Sequence, residues 1–229
     1  MSSDKQHPLK CYFEELENAQ IRAIELYSSE KFHLEGITIL MCHIAAISSF
    51  RYPGQKDWAA FKELVKEYSG LYDLFENIDL LFFYQWPISK LANDSEYKKL
   101  EKYKEILQVF RDKFGCEEQI KGNDIRYQKR DILLKILESA SIPDFNKDNF
   151  LKYIELFSNN QIFYTYARCE AVHNNDFPLI NIGVTFPDMQ RVYTPNHQIT
   201  GEVIKNSLEG IIKNLKDECL SKNKWPQEL

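Results

Sequence analysis

Arg168 and His173 stand with four residues between them in the run Tyr164-Thr165-Tyr166-Ala167-Arg168-Cys169-Glu170-Ala171-Val172-His173-Asn174. A guanidinium presents a planar fork of donors that matches phosphate oxygens. An imidazole gains and loses its proton near neutral pH. Together they are the parts that metal-free cleavage of a phosphodiester needs: a proton carrier and a positive clamp. A helix C-terminus favours the protonated ring, so acid, base and electrostatic clamp are all open roles for His173. The same two residues also read as a surface ion-pairing arginine and a helix-capping histidine.

Their neighbours carry paired readings. Glu170 either holds the fork of Arg168 or faces solvent. Asn174 either positions a phosphate or caps the helix. Tyr164 and Tyr166 are candidates to stack a base, and at helical spacing they also suit core or dimer packing. Cys169 finds no oxyanion or orienting group with which to form a nucleophilic dyad. His43 lies in an apolar helix and reads as a core histidine. Glu35 begins the same helix, where a carboxylate suits the dipole. Arg191 and His197 nearly repeat the spacing, but Pro195 lies between them, outside any helical pattern. Phosphate-binding glycine loops, zinc-protease motifs and serine-hydrolase elbows are absent.

Helices must position these residues. Phe13, Leu16, Ala19, Ala23 and Tyr27 recur at helical spacing, which predicts a helix over 9–29. Residues 34–50 are apolar nearly all round, as in a buried central helix, and Arg51-Tyr52-Pro53-Gly54 ends it. Asp57 is placed to cap the next helix, with Phe61, Leu64, Val65 and Tyr68 on its inner face. Further helices are expected over 71–86, stopped by Pro87, then over 95–114, ended by Gly115, and over 124–139, 149–157 and 161–173. Residues 116–123 read as a loop, and a seam near 115–124 is the main internal break. Breakers follow at 174–178. Residues 179–185 and 191–194 have the composition of a short hairpin near the C-terminus. Thr200 then caps a last helix.

Spacing raises a geometric problem. A five-residue step on a regular α-helix turns about 140°, so Arg168 and His173 would not share a face. Either the helix stops at His173 and the ring swings back, or two copies of the chain bring the pair together.

The bulk composition agrees with a single helical domain over 1–229. There are only 8 Gly and 8 Pro, too few for an all-β fold rich in turns. The net charge of −5 gives no long-range pull on nucleic acid, so any binding must come from a local patch. Residues 1–8 are polar and no apolar leader core follows, and the apolar run 37–47 is too short to cross a bilayer. The five scattered cysteines contain no CxxC pair, so neither a disulfide framework nor a metal site is expected, and a cytoplasmic setting is the simple reading.

The Arg168–His173 spacing resembles the R-x4-6-H signature of the HEPN superfamily, small all-α domains of which many are metal-independent RNases in toxin–antitoxin and phage-defence systems. The segment 161–176 carries that likeness. An aromatic helix, an Arg-Cys-x-x-Val-His-like run, a short strand pair and a final helix look similar to a bacterial branch of the superfamily. The Arg51-Tyr52-Pro53 helix ending and Tyr68-Ser69-Gly70 look similar too. The resemblance implies an all-α, HEPN-like antiparallel helical bundle with added helices and a small β-hairpin. It implies an endoribonuclease without cofactor or metal, with Arg168 and His173 catalytic and Glu170, Asn174, Tyr164 and Tyr166 supporting them or binding RNA. A homodimer with a composite cleft and an antitoxin or defence partner are implied as well, with no membrane. The alternative is a non-catalytic HEPN-like module that binds RNA or protein. Cys169 stands where active members carry a polar residue after the arginine.

Overall fold

The structure is a computed structural model and describes residues 8–88, 96–121, 124–174 and 198–229. Among the described residues it is mostly helical, with one short antiparallel two-stranded sheet. In chain order the elements are α1 (Pro8–Ser28), α2 (His33–Arg51), α3 (Asp57–Tyr68), α4 (Tyr72–Phe75), β1 (Asn77–Asp79), α5 (Leu80–Gln85), α6 (Tyr103–Phe114), α7 (Glu117–Ile120), β2 (Tyr127–Lys129), α8 (Arg130–Ala140), α9 (Lys147–Tyr153), α10 (Asn159–Ile162), a π-helix (Phe163–Asn174) and α11 (Gly201–Lys222). Short 3-10 turns link several of them.

The chain forms two compact units. Among the described residues the first takes 8–72, 164–174 and 199–229. Its centre is α2, which packs against α1, α3 and α11. By length and composition α2 is apolar enough to cross a bilayer, and in this fold Ile37, Leu40, Met41 and Ile44 are fully buried among those neighbours. Two glycines allow the close crossings. A Cβ on Gly36 would strike the backbone of Tyr27, and one on Gly210 would strike the carbonyl of Ser69. Thr200 caps α11 as expected, its hydroxyl accepting from the Val203 amide.

The second unit takes the described residues 73–88, 96–121, 124–163 and 198. An aromatic cluster of Phe82, Phe83, Trp86, Tyr97, Phe110 and Phe157 fills it. The expected helix over 71–86 is instead split into α4, β1 and α5. The expected helix over 124–139 begins only at Arg130, because residues 127–129 form β2. Strand pairing puts Asn77 opposite Lys129 and Asp79 opposite Tyr127. The expected loop at 116–123 contains α7. The hairpin expected over 179–194, and the pair Arg191 and His197, lie outside the described residues.

A buried ion pair explains the split. Asp79 caps α5 by accepting from the Phe82 amide at 3.1 Å. The same carboxylate takes Nε of Arg126 at 2.8 Å and Nη2 at 2.6 Å. Both side chains are essentially inaccessible, at 0% and 1% exposure. A continuous helix through 71–86 would forfeit this cap and the bidentate pair. Neither charge is tolerable there alone. Asp79→Ala or Arg126→Ala should each lower stability by about 3–5 kcal/mol. A well-packed apolar replacement of both, Asp79→Leu with Arg126→Met, should cost less than either single change. Urea unfolding followed by circular dichroism measures both.

Candidate functional site

The π-helix solves the spacing problem that the sequence posed. Its carbonyls accept from amides five residues on, so residue i lies over residue i+5 rather than beside i+4. Arg168 and His173 are such a pair. Nη1 of Arg168 lies 3.0 Å from Nε2 of His173 within one chain. The helix therefore does not need to stop at His173 for the two to meet. Tyr166, Ala167 and Ala171 turn inward and are buried, at 7%, 5% and 2% exposure. His173 is exposed and Tyr164 and Arg168 are partly so.

Arginine carries donors only, so His173 must accept through Nε2. The guanidinium is held from its other side as well. Nη2 lies 3.1 Å from Oδ2 of Asp57, at the start of α3, with the arginine side chain 13% exposed. The phenol of Tyr164 donates to the same oxygen at 2.9 Å. The Tyr164 ring lies under the guanidinium, 5.5 Å from Cζ to its centroid, and meets Phe61 of α3 edge-on at 5.6 Å. Cys169 Sγ lies 3.8 Å from Nη1, and Nε of Arg168 is buried with no partner.

Asp57 is the residue that the sequence reading assigned differently. It was expected to cap α3. Instead Lys56 holds the cap position, without a side-chain bond, and Asp57 is the first helical residue. Its carboxylate is spent on Arg168 and Tyr164. An acid in the first turn of a helix looks like a simple dipole partner, so its sequence context does not separate the two roles.

Tyr164 joins the site through Asp57. Tyr166 faces the interior and is buried. Glu170 and Asn174 lie on the π-helix, and their side chains are outside the described residues. Glu35 is exposed in the first turn of α2. His43 is half-buried, and burial first and the charge of Arg22 second hold its ring below the usual histidine value. All five cysteines are free thiols.

No family model, curated protein or solved structure matches this chain. Arg168 is shared between a histidine on one side and a carboxylate on the other, so a phosphate would meet a guanidinium that is already partly engaged.

The phenol of Tyr164 reports on this arrangement. Burial first, and the hydrogen bond to Asp57 second, raise its ionisation well above the ordinary value of 10. A phenol raised in the folded state contributes stability that is complete below pH 10 and is lost as the pH climbs through the folded value. Asp57→Asn removes the carboxylate's share of that rise. Tyr164 should then ionise at lower pH than in the wild type, read by NMR of ring-labelled tyrosine with Tyr164→Phe to assign the signal. An unchanged titration would mean that Asp57 does not hold the phenol in solution.

Proposed function

We propose that this protein is a metal-independent endoribonuclease of the HEPN type, acting as a homodimer, with Arg168 and His173 as its catalytic pair. The observation that carries this reading is the 3.0 Å approach of the two side chains, with the imidazole exposed. The proposed steps start from the neutral ring. An RNA phosphate takes the Nη1 donor of Arg168 in place of His173. The Nε2 lone pair is then released toward the neighbouring 2′-OH. That oxygen attacks phosphorus as its proton passes to His173. The bond to the 5′-oxygen breaks, leaving a 2′,3′-cyclic phosphate and a 5′-hydroxyl. The departing oxygen takes that proton back from the imidazolium of His173, which returns to its neutral form. Arg168 offsets the charge that builds on the phosphorane.

One observation favours the other reading, a non-catalytic HEPN-like module that binds RNA or protein. Asp57 stands 3.1 Å from Arg168 and offsets the charge a phosphate would seek. Cleavage separates the two. Defined single-stranded RNAs are incubated in EDTA with wild type, Arg168→Ala and His173→Ala. Wild type should cleave to a cyclic phosphate end, and each variant should be slower by about 10²–10⁴-fold. Equal cleavage by all three assigns the activity to a contaminant or another site. No cleavage by wild type favours the non-catalytic reading.

A further inference from the structure

Two donors of the site converge on one oxygen. Nη2 of Arg168 and the phenol of Tyr164 both reach Oδ2 of Asp57, at 3.1 Å and 2.9 Å. One guanidinium donor and one hydroxyl donor aimed at the same point are what a phosphate oxygen finds in a binding site. Here the chain's own carboxylate stands at that point. On the other end of the guanidinium, Nη1 meets Nε2 of His173 at 3.0 Å. Arginine grips a phosphate most firmly through two parallel donors, one to each of two oxygens. Nη1 and Nη2 form such an edge, and both ends of it are held by side chains of this protein.

The donors are fixed, whereas the acceptor is movable. The Arg168 side chain is 13% exposed. Its guanidinium lies against the Tyr164 ring, and that ring meets Phe61 of α3 edge-on. Asp57 is the first residue of α3, and its side chain is 43% exposed. Among the described residues, Arg168 and Tyr164 are the partners of its carboxylate. A turn about its own Cα–Cβ bond carries that carboxylate into water and leaves the helix in place. Ion pairs this open are held weakly. Once the carboxylate has turned away, Nη2 and the Tyr164 hydroxyl still point at the vacated position.

We propose that the position of Asp57 Oδ2 is a phosphate-oxygen site masked by the chain's own carboxylate, and that Asp57 swings out when a nucleic-acid phosphodiester is held by Arg168 and Tyr164. One oxygen of the phosphate takes Nη2 and the Tyr164 hydroxyl. The other takes Nη1 in place of His173. Asp57 is thus an intramolecular competitor of the substrate. The assignment takes its ligand from the endoribonuclease reading, and it is tested without cleavage.

Binding of a short labelled DNA single strand is followed by fluorescence anisotropy. DNA lacks the 2′-OH that attacks in the proposed reaction, so the probe stays intact. Asp57→Ala should bind about fivefold more tightly than wild type, because the phosphate no longer displaces an exposed ion pair. Loss of any carboxylate from a chain of net charge −5 also favours a polyanion, so the route of the gain matters. The gain should disappear when Asp57→Ala is made in Arg168→Ala, and adding Tyr164→Phe to Asp57→Ala should take back part of it. Thermal unfolding of each variant checks that the fold is kept. If Asp57→Ala does not fold, Asp57→Asn, which keeps the size and drops the charge, is judged in its place. A folded variant that binds no more tightly than wild type overturns the masked site. So does a gain that survives in Arg168→Ala, and so does no binding by any variant. RNA cleavage by wild type is scored apart. Tighter DNA binding without RNA cleavage keeps the phosphate site and removes the nuclease reading, and cleavage without the gain does the reverse.

Discussion

A helix whose hydrogen bonds run from i to i+5 brings residues five apart onto one face. That single constraint, over Phe163–Asn174, is what the candidate site depends on. In an ordinary α-helix His173 would point about 140° away from Arg168, and the chain would hold an arginine and a histidine with nothing to say to each other. In the wider helix they are within hydrogen-bond distance. The inward face is kept narrow by Ala167 and Ala171, while Tyr166 supplies the bulk of its burial. Helices of this type are short and uncommon, and they concentrate where function needs an unusual register.

The site is a balance of charges rather than a bare positive pocket. Arg168 meets a neutral acceptor on one side and a carboxylate on the other. Tyr164 braces both by bonding Asp57 and by lying beneath the guanidinium. This makes the arginine well oriented but not idle. Both terminal nitrogens of the guanidinium already have a partner. In the same contact His173 is the acceptor, through Nε2, because a guanidinium has only donors. The imidazole and the carboxylate are both exposed, and the carboxylate is fastened by Tyr164 as well.

Much of the helical class was legible in the sequence, and so were several boundaries. Low glycine and proline content, apolar spacing near 3.6 residues and the Thr200 cap all act locally, so they leave a direct trace. Gly115 ends α6 with a positive φ, as its type suggests. Residues 71–86 and 124–139 were harder. Both have helical periodicity, yet each surrenders part of it to β1 and β2, because Asp79 and Arg126 find each other from distant parts of the chain. A buried bidentate pair outweighs local preference, and neither residue announces its partner. Asp57 was hidden for the same reason: its partners lie far along the chain, and alone it looks like any acid at a helix start.

The sequence by itself determined the residue types and their spacing: an arginine and a histidine five positions apart, on a helix flanked by aromatics. It also determined that most of the chain would be helical, since periodicity and capping are short-range. The tertiary structure decided whether that pair could meet, by opening the helix to the i→i+5 pattern. It decided as well which carboxylate would hold the arginine, by carrying Asp57 of α3 to Tyr164 and Arg168. Both outcomes depend on how one segment packs on another, and that information is spread over residues too distant in the chain for any local pattern to carry.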